Sequence, residues 1–228
     1  MVELMLLYWI LLPIVWVLMH IVYRVEVVGR NLIPRGRPIV IAPNHISDLD
    51  PVFILVVVFR FHRFRILAKQ ELFRNPFIGW FLRCMGAVPI DRGRGDLDTV
   101  NKVTEECKKG TGVLIFPEGT RSKDGKLGKL KSGAFVIAGQ AGADMVPCRI
   151  IYDTPDHRMR PFCRMRICFG EPIPASELRI TDPRHQIKEL RALRTRLTND
   201  LEELYRQNSF EPAALPAAEP NPGTEPGT

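Results

Sequence analysis

Asn44-His45-Ile46-Ser47-Asp48-Leu49-Asp50 is the stretch whose reading decides the fold. Before it, Pro38-Ile39-Val40-Ile41-Ala42 is a short apolar run of the kind that forms a buried strand. After it, Asp50-Pro51 reads as a helix start leading into the apolar segment Val52 to Phe61. The carboxylate can cap the first free N–H groups, and proline suits the first helical position. His45 therefore falls in a strand-to-helix loop, where a sheet offers side chains to a ligand. Along a continuous helix, five residues would turn Asp50 roughly 140° away from His45. The two meet only if the chain turns between them, and Asn44 and Ser47 are residue types that stabilise turns. A histidine held by a carboxylate keeps one tautomer and offers its other nitrogen as a base. No serine completes a triad, and a substrate hydroxyl could supply the missing nucleophile. The competing reading is a loop histidine hydrogen-bonded to a turn.

Outward from this loop the same strand-then-helix pattern recurs. Strands are expected at Tyr23–Val28, Arg63–Ala68, Gly86–Asp91, Val113–Phe116, Met145–Ile151 and Cys163–Phe169, and Pro147 suggests a strand start or edge. Helices are expected over Glu71–Met85 with a break at Pro76, over Leu97–Lys109, over Gly133–Gln140, and from Thr181-Asp182-Pro183 through Leu204. Alternating strands and helices specify an α/β class: a mixed, largely parallel sheet flanked by helices. Parallel sheets gather their sites at the carboxyl ends of strands. His45, Lys69, Arg92 and Glu118 to Arg121 all fall at such ends. A lysine meets an anion as a mobile point charge, and an arginine grips phosphate through two parallel hydrogen bonds. Gly119 permits a close backbone approach to a ligand. Glu118 can hold Arg121 or Arg92, or contact a substrate.

The chain has 228 residues, a net charge of +7 and a pI of about 9.4, which suits anionic partners. Five cysteines, odd in number and without a Cys-x-x-Cys pair, argue against a disulfide framework and a zinc site, so no metal is expected. Leu4 to Val22 is almost wholly apolar and about 28 Å long as a helix. It is read as an N-terminal membrane-anchoring helix, residues 1–24, with a helix lying in the interface as the alternative. Arg24, Arg30, Arg35 and Arg37 follow it, which by the positive-inside rule puts the catalytic portion on the cytoplasmic face of a membrane. Residues 25–208 form the catalytic domain. Residues 209–228, rich in proline, read as a disordered tail.

Four blocks carry a resemblance. Asn44-His45-x-Ser47-x-x-Asp50, Gly86-Ala87-Val88-Pro89-Ile90-Asp91-Arg92, Phe116-Pro117-Glu118-Gly119-Thr120-Arg121-Ser122 and Val146-Pro147 stand in this order. They resemble the blocks of the glycerolipid acyltransferases, most of all the 1-acyl-sn-glycerol-3-phosphate (lysophosphatidate) acyltransferases, over about Val25 to Leu204. The resemblance implies transfer of an acyl group from acyl-CoA or acyl carrier protein to the hydroxyl of lysophosphatidate, giving phosphatidate, with no cofactor beyond the co-substrate. It implies that His45 is the base, oriented by Asp50. It implies that Arg92 binds the acceptor phosphate, and that Lys69, Glu118, Gly119, Thr120 and Arg121 form the rest of the substrate site. A lysophospholipid, the thioester donor and membrane lipid are the implied partners. Other acceptors, such as glycerol-3-phosphate or another lysolipid, stay open. So do a thioesterase or lysophospholipase using the same base, and a non-catalytic lipid- or nucleic-acid-binding module. The apolar N-terminal segment weighs against nucleic acid.

Overall fold

The structure, a computed structural model, describes residues 2–59, 63–90, 97–179 and 186–210. Seven strands form one sheet: β1 (Arg24–Val28), β2 (Ile39–Pro43), β3 (Phe64–Lys69), β4 (Ala87–Ile90), β5 (Gly112–Leu114), β6 (Asp144–Tyr152) and β7 (Arg164–Phe169). Their spatial order is β1-β7-β6-β2-β5-β3-β4. Every neighbouring pair is parallel except β6 and β7, which run antiparallel. The mixed, largely parallel sheet expected from the strand–helix alternation is therefore present. The helices are α1 (Val2–Val22), α2 (Asp50–Val58), α3 (Pro76–Cys84), α4 (Leu97–Lys108), α5 (Gly133–Ala141), α6 (Ala175–Leu178) and α7 (Gln186–Asn208).

β2 shows why the sheet sits between two layers. All five of its residues are buried, and successive side chains point to opposite faces. Ile39 and Ile41 enter the core shared with Phe53, Ile54 and Ile150, on the side of α1, α2 and α3. Val40 and Ala42 enter the core shared with Cys107, Phe135 and Leu197, on the side of α4, α5 and α7. The near-continuous apolar sequence of β2 reflects burial on both faces. Leu193, Leu197 and Leu201 are the buried stripe by which α7 lies against β6 and β7.

The expected membrane-anchoring helix is corrected by the structure. Among the described residues no helix is long and apolar enough to cross a membrane. α1 does not stand clear of the domain: it packs along α2 and α3 and buries Leu12 and Met19 in the core. The transmembrane helix is withdrawn. The membrane location with the catalytic side facing the cytoplasm rested on that anchor and is withdrawn with it. The tail reading falls mainly on residues 211–228, outside the described residues. Ser209 still donates to the Tyr205 carbonyl, and the Phe210 ring lies against Arg164 and Arg166.

Candidate active site

β2 delivers His45 into the β2–α2 loop, and four hydrogen bonds fix the loop. Asn44 donates to the Ile150 carbonyl at 3.1 Å and accepts from its N–H at 2.7 Å, tying the loop to β6. The Asp50 N–H donates to the Ser47 carbonyl at 3.1 Å, and the Leu49 N–H to the Ser47 hydroxyl, which makes the turn that the five-residue spacing requires. The imidazole Nδ1 then lies 3.0 Å from Asp50 Oδ2.

Asp50 is fully buried, and four donors converge on it. Oδ2 accepts from His45 Nδ1 and from the N–H groups of Ile46 at 2.6 Å and Ser47 at 2.7 Å. Oδ1 accepts from the Tyr152 hydroxyl at 2.5 Å. The carboxylate thus reaches back to the loop amides rather than capping its own helix, because the turn brings those amides over it. A carboxylate surrounded only by donors stays an acceptor, so Nδ1 carries the proton and Nε2 has the lone pair. Nε2 has no protein partner among the described residues. The ring stacks on Phe116 with centroids 4.0 Å apart, and its side chain is 13% exposed.

A second buried carboxylate braces the loop from the other side. Glu118 accepts the His45 N–H at 2.7 Å through Oε1 and the Gly128 N–H at 2.8 Å through Oε2. Burial pushes its carboxyl up from the usual range, and the two amide bonds and the neighbouring Arg149 only partly offset that. Glu118 therefore joins the His45 loop to the basic segment 122–131. It does not hold Arg121, whose guanidinium pairs with Asp48. Arg149, itself buried, leans over the Tyr205 ring and is desolvated enough to lower its proton affinity.

β2 and β5 are neighbours, so the His45 loop and the turn Glu118 to Arg121 meet at their carboxyl ends. Gly119 adopts a left-handed φ of 72°, a conformation that favours glycine at this turn. Thr120 and Arg121, with Ile46, Ser47, Asp48, Arg158 and Met159, line an open cavity of about 530 Å³ that begins one residue after His45, which is not itself among the lining residues. Lys69, at the end of β3, is not part of this cluster: it makes a surface pair with Glu71 at 3.1 Å. Arg92 lies outside the described residues. The N–H groups of Asn44, His45, Ile46, Ser47 and Gly119 are all donated within the protein, so none of these stands ready as an oxyanion donor.

Two contributors went unread in the sequence. Arg158 sits in the connection from β6 to β7, where a polar run signals only a solvated loop. Its guanidinium is anchored on the Lys123 carbonyl. Tyr152 ends a buried strand, with no local pattern to mark its hydroxyl.

The model of the family described as Acyltransferase matches residues 24–151. The chain is 39% identical over 132 residues to the chloroplastic 1-acyl-sn-glycerol-3-phosphate acyltransferase LPAT1 of Arabidopsis thaliana, a match covering 57% of this chain and 36% of that protein. It is 32% identical over 151 residues to the 1-acyl-sn-glycerol-3-phosphate acyltransferase of Bacillus subtilis, covering 65% of this chain and 73% of that one. The chain thus spans little more than a third of the plant relative's length. Among solved structures, the 1-acyl-sn-glycerophosphate (LPA) acyltransferase PlsC of Thermotoga maritima superposes with a TM-score of 0.56 at 25% identity, over 79% of this chain and 72% of that one.

Proposed function

The chain belongs to the acyltransferase family, and on that premise we propose that it transfers an acyl group from a thioester donor to the free hydroxyl of lysophosphatidate, giving phosphatidate. The observation that carries this reading is the imidazole held through Nδ1 by a buried carboxylate at 3.0 Å, beside a cavity lined by Arg121 and Arg158. Those two guanidiniums take the acceptor phosphate and bring its hydroxyl to His45 Nε2. The base removes the hydroxyl proton as the oxygen attacks the thioester carbonyl. The tetrahedral intermediate collapses, the C–S bond breaks, and the thiolate leaves and recovers the proton from His45. Base catalysis of this kind is worth roughly 10²–10⁴ in rate, and positioning by the phosphate supplies more. Acyl-CoA and acyl carrier protein both present the required thioester. Arg92, which follows β4 in the sequence, is the further phosphate contact that the family resemblance implies.

The test is purified protein in detergent micelles with acyl-CoA and lysophosphatidate, scored by the mass of the lipid product. Wild type makes phosphatidate, and His45→Ala, folded by its melting curve, makes none above background. Phosphatidate formed by His45→Ala at a near-normal rate refutes the base. Free fatty acid as the product whether or not acceptor is present refutes the transfer.

A further inference from the structure

We infer that Tyr152 is a positioning residue for His45, acting through the Asp50 carboxylate. The inference rests on the reading of His45 as the base. Tyr152 closes β6, which pairs with β2 through Pro43 and Cys148 in register. The strand ladder therefore sets the distance from the phenol to the loop that carries His45. The ring is 1% exposed and belongs to the same core as Phe53 and Ile54 of α2, so its rotamer is held by packing. From there its hydroxyl reaches Asp50 Oδ1 at 2.5 Å.

The division of labour at Asp50 gives the phenol its role. Oδ2 serves the imidazole and two loop amides at once, and all three lie within the loop from Asn44 to Leu49. Asn44 and Glu118 hold that loop in place without fixing the plane of the Asp50 carboxylate. Among the described residues, Oδ1 has the one bond that ties the carboxylate to the sheet. Tyr152 thereby fixes the rotation of the carboxylate plane, and so the direction in which the imidazole presents Nε2. It also withdraws part of the negative charge from the face of the carboxylate that meets the ring.

Burial and the adjacent carboxylate both push the phenol well above its ordinary value, so it stays a donor throughout the neutral range. Among the described residues the titratable neighbours from every packed element are few. Cys148 of β6 faces Asp50, Tyr23 at the end of α1 and Cys163 before β7 face the phenol, and burial raises all three, which keeps them neutral. Glu118 meets the backbone of residue 45, and the Asp48–Arg121 pair lies on the exposed side of the loop.

Phenylalanine fills the same space and lacks only the donor, so Tyr152→Phe is the variant of choice. The uncompensated carboxylate then holds the imidazolium more tightly. The acidic limb of kcat/KM moves to higher pH by about one unit. The looser ring lowers kcat about tenfold, and KM for lysophosphatidate stays within about twofold. A filler of the core would leave the pH limb unmoved. In an Asp50→Asn background the hydroxyl no longer faces a charge, and adding Tyr152→Phe leaves the limb where Asp50→Asn put it. An unmoved limb with wild-type kcat in Tyr152→Phe overturns the proposal, as does an equal shift in the Asp50→Asn background. A Tyr152→Phe chain that fails to fold overturns it as well, since a hydroxyl that only orients Asp50 is dispensable to packing. His45→Ala, run alongside, separates this failure from that of the base. If it is inactive while Tyr152→Phe is unchanged, only the role of Tyr152 is refuted.

Discussion

Asp50→Asn removes a charge while keeping the shape of the side chain, and the bonds around residue 50 decide its effect. An asparagine has one acceptor oxygen and one NH₂ donor. With its oxygen at the Oδ2 position it still accepts from His45 Nδ1, Ile46 and Ser47. Its NH₂ then faces the Tyr152 oxygen, which can turn to accept. The opposite flip would set the NH₂ against two loop amides, at about 1–3 kcal/mol for each orphaned donor. The first arrangement therefore wins, and the imidazole keeps its tautomer. Three bonds change from charge-assisted to neutral, at about 1 kcal/mol each. Relief from burying an unscreened charge in a fully enclosed site is worth several kcal/mol in the other direction. The fold survives and the melting temperature moves by only a few degrees. Catalysis does not survive unchanged. The buried carboxylate is the opposite charge in contact with the imidazolium that forms during proton transfer. Losing it lowers kcat by about 10- to 10³-fold and moves the acidic limb of kcat/KM to lower pH, opposite in direction to Tyr152→Phe. The assay is phosphatidate formation across the neutral and acidic range at saturating donor. A folded Asp50→Asn chain within about threefold of wild-type kcat, with its limb unmoved, refutes the reasoning.

Glu118→Gln tests the second carboxylate through stability. Its carboxyl is raised by burial, so the stability it contributes is complete below the ordinary carboxyl range and is lost as pH climbs through the raised value. Glutamine does not titrate, so differential scanning from about pH 4 to about pH 8 shows wild type losing ground to Glu118→Gln as the pH rises. Arg158→Ala raises KM for lysophosphatidate by about tenfold or more, the value of a charge-assisted hydrogen bond, and leaves the pH limb unmoved in steady-state assays. Asp48→Asn frees Arg121 from an exposed ion pair worth at most about 1 kcal/mol, and lowers that KM by no more than about fivefold. All five cysteines are buried, and burial pushes Cys107 and Cys168 up to about 12, so a thiol reagent at about pH 8 labels the native chain slowly and all five thiols after denaturation.

Much of the sheet could be read from local pattern because most strands are short runs, apolar or alternating, bounded by turn residues. Gly29, with its left-handed φ of 69°, ends β1 where it was expected to. The meeting of His45 and Asp50 was readable for a different reason: helical geometry forbade it without a turn, and Ser47 supplies the turn. What stayed hidden depends on distance in sequence. Tyr152 and Arg158 reach the site because β6 pairs with β2, more than a hundred positions apart, and no window of residues carries that information. Pro147 reads as an edge signal yet lies within β6, between β2 and β7. Its carbonyl accepts from Gly170, just past the end of β7, so its missing N–H faces the gap where that ladder stops. Lys69 was grouped with the site because it ends a strand. The order β2-β5-β3 sets it one strand beyond Glu118, where Glu71 takes its charge. The apolar N-terminal stretch misled through composition alone, since packing along α2 and α3 also calls for leucine and methionine.

Three carboxylates near His45 divide into two kinds, and the division separates holding from binding. Asp50 and Glu118 are buried, and both oxygens of each are occupied by donors. Removing either leaves buried amides unpaired, which makes these contacts expensive to break. Asp48 is exposed, and its pair with Arg121 is solvated and half open on both sides. Such a pair is worth little in water, so a phosphate that accepts two parallel hydrogen bonds from the same guanidinium displaces it at small cost. On the proposed reading, the base is thus locked before any substrate arrives, and the cation that would meet the phosphate stays exchangeable. The proposed transfer asks for one fixed geometry at the proton-transfer step and for a charged lipid that enters and leaves on every cycle, and ion pairs that differ in this way meet both demands.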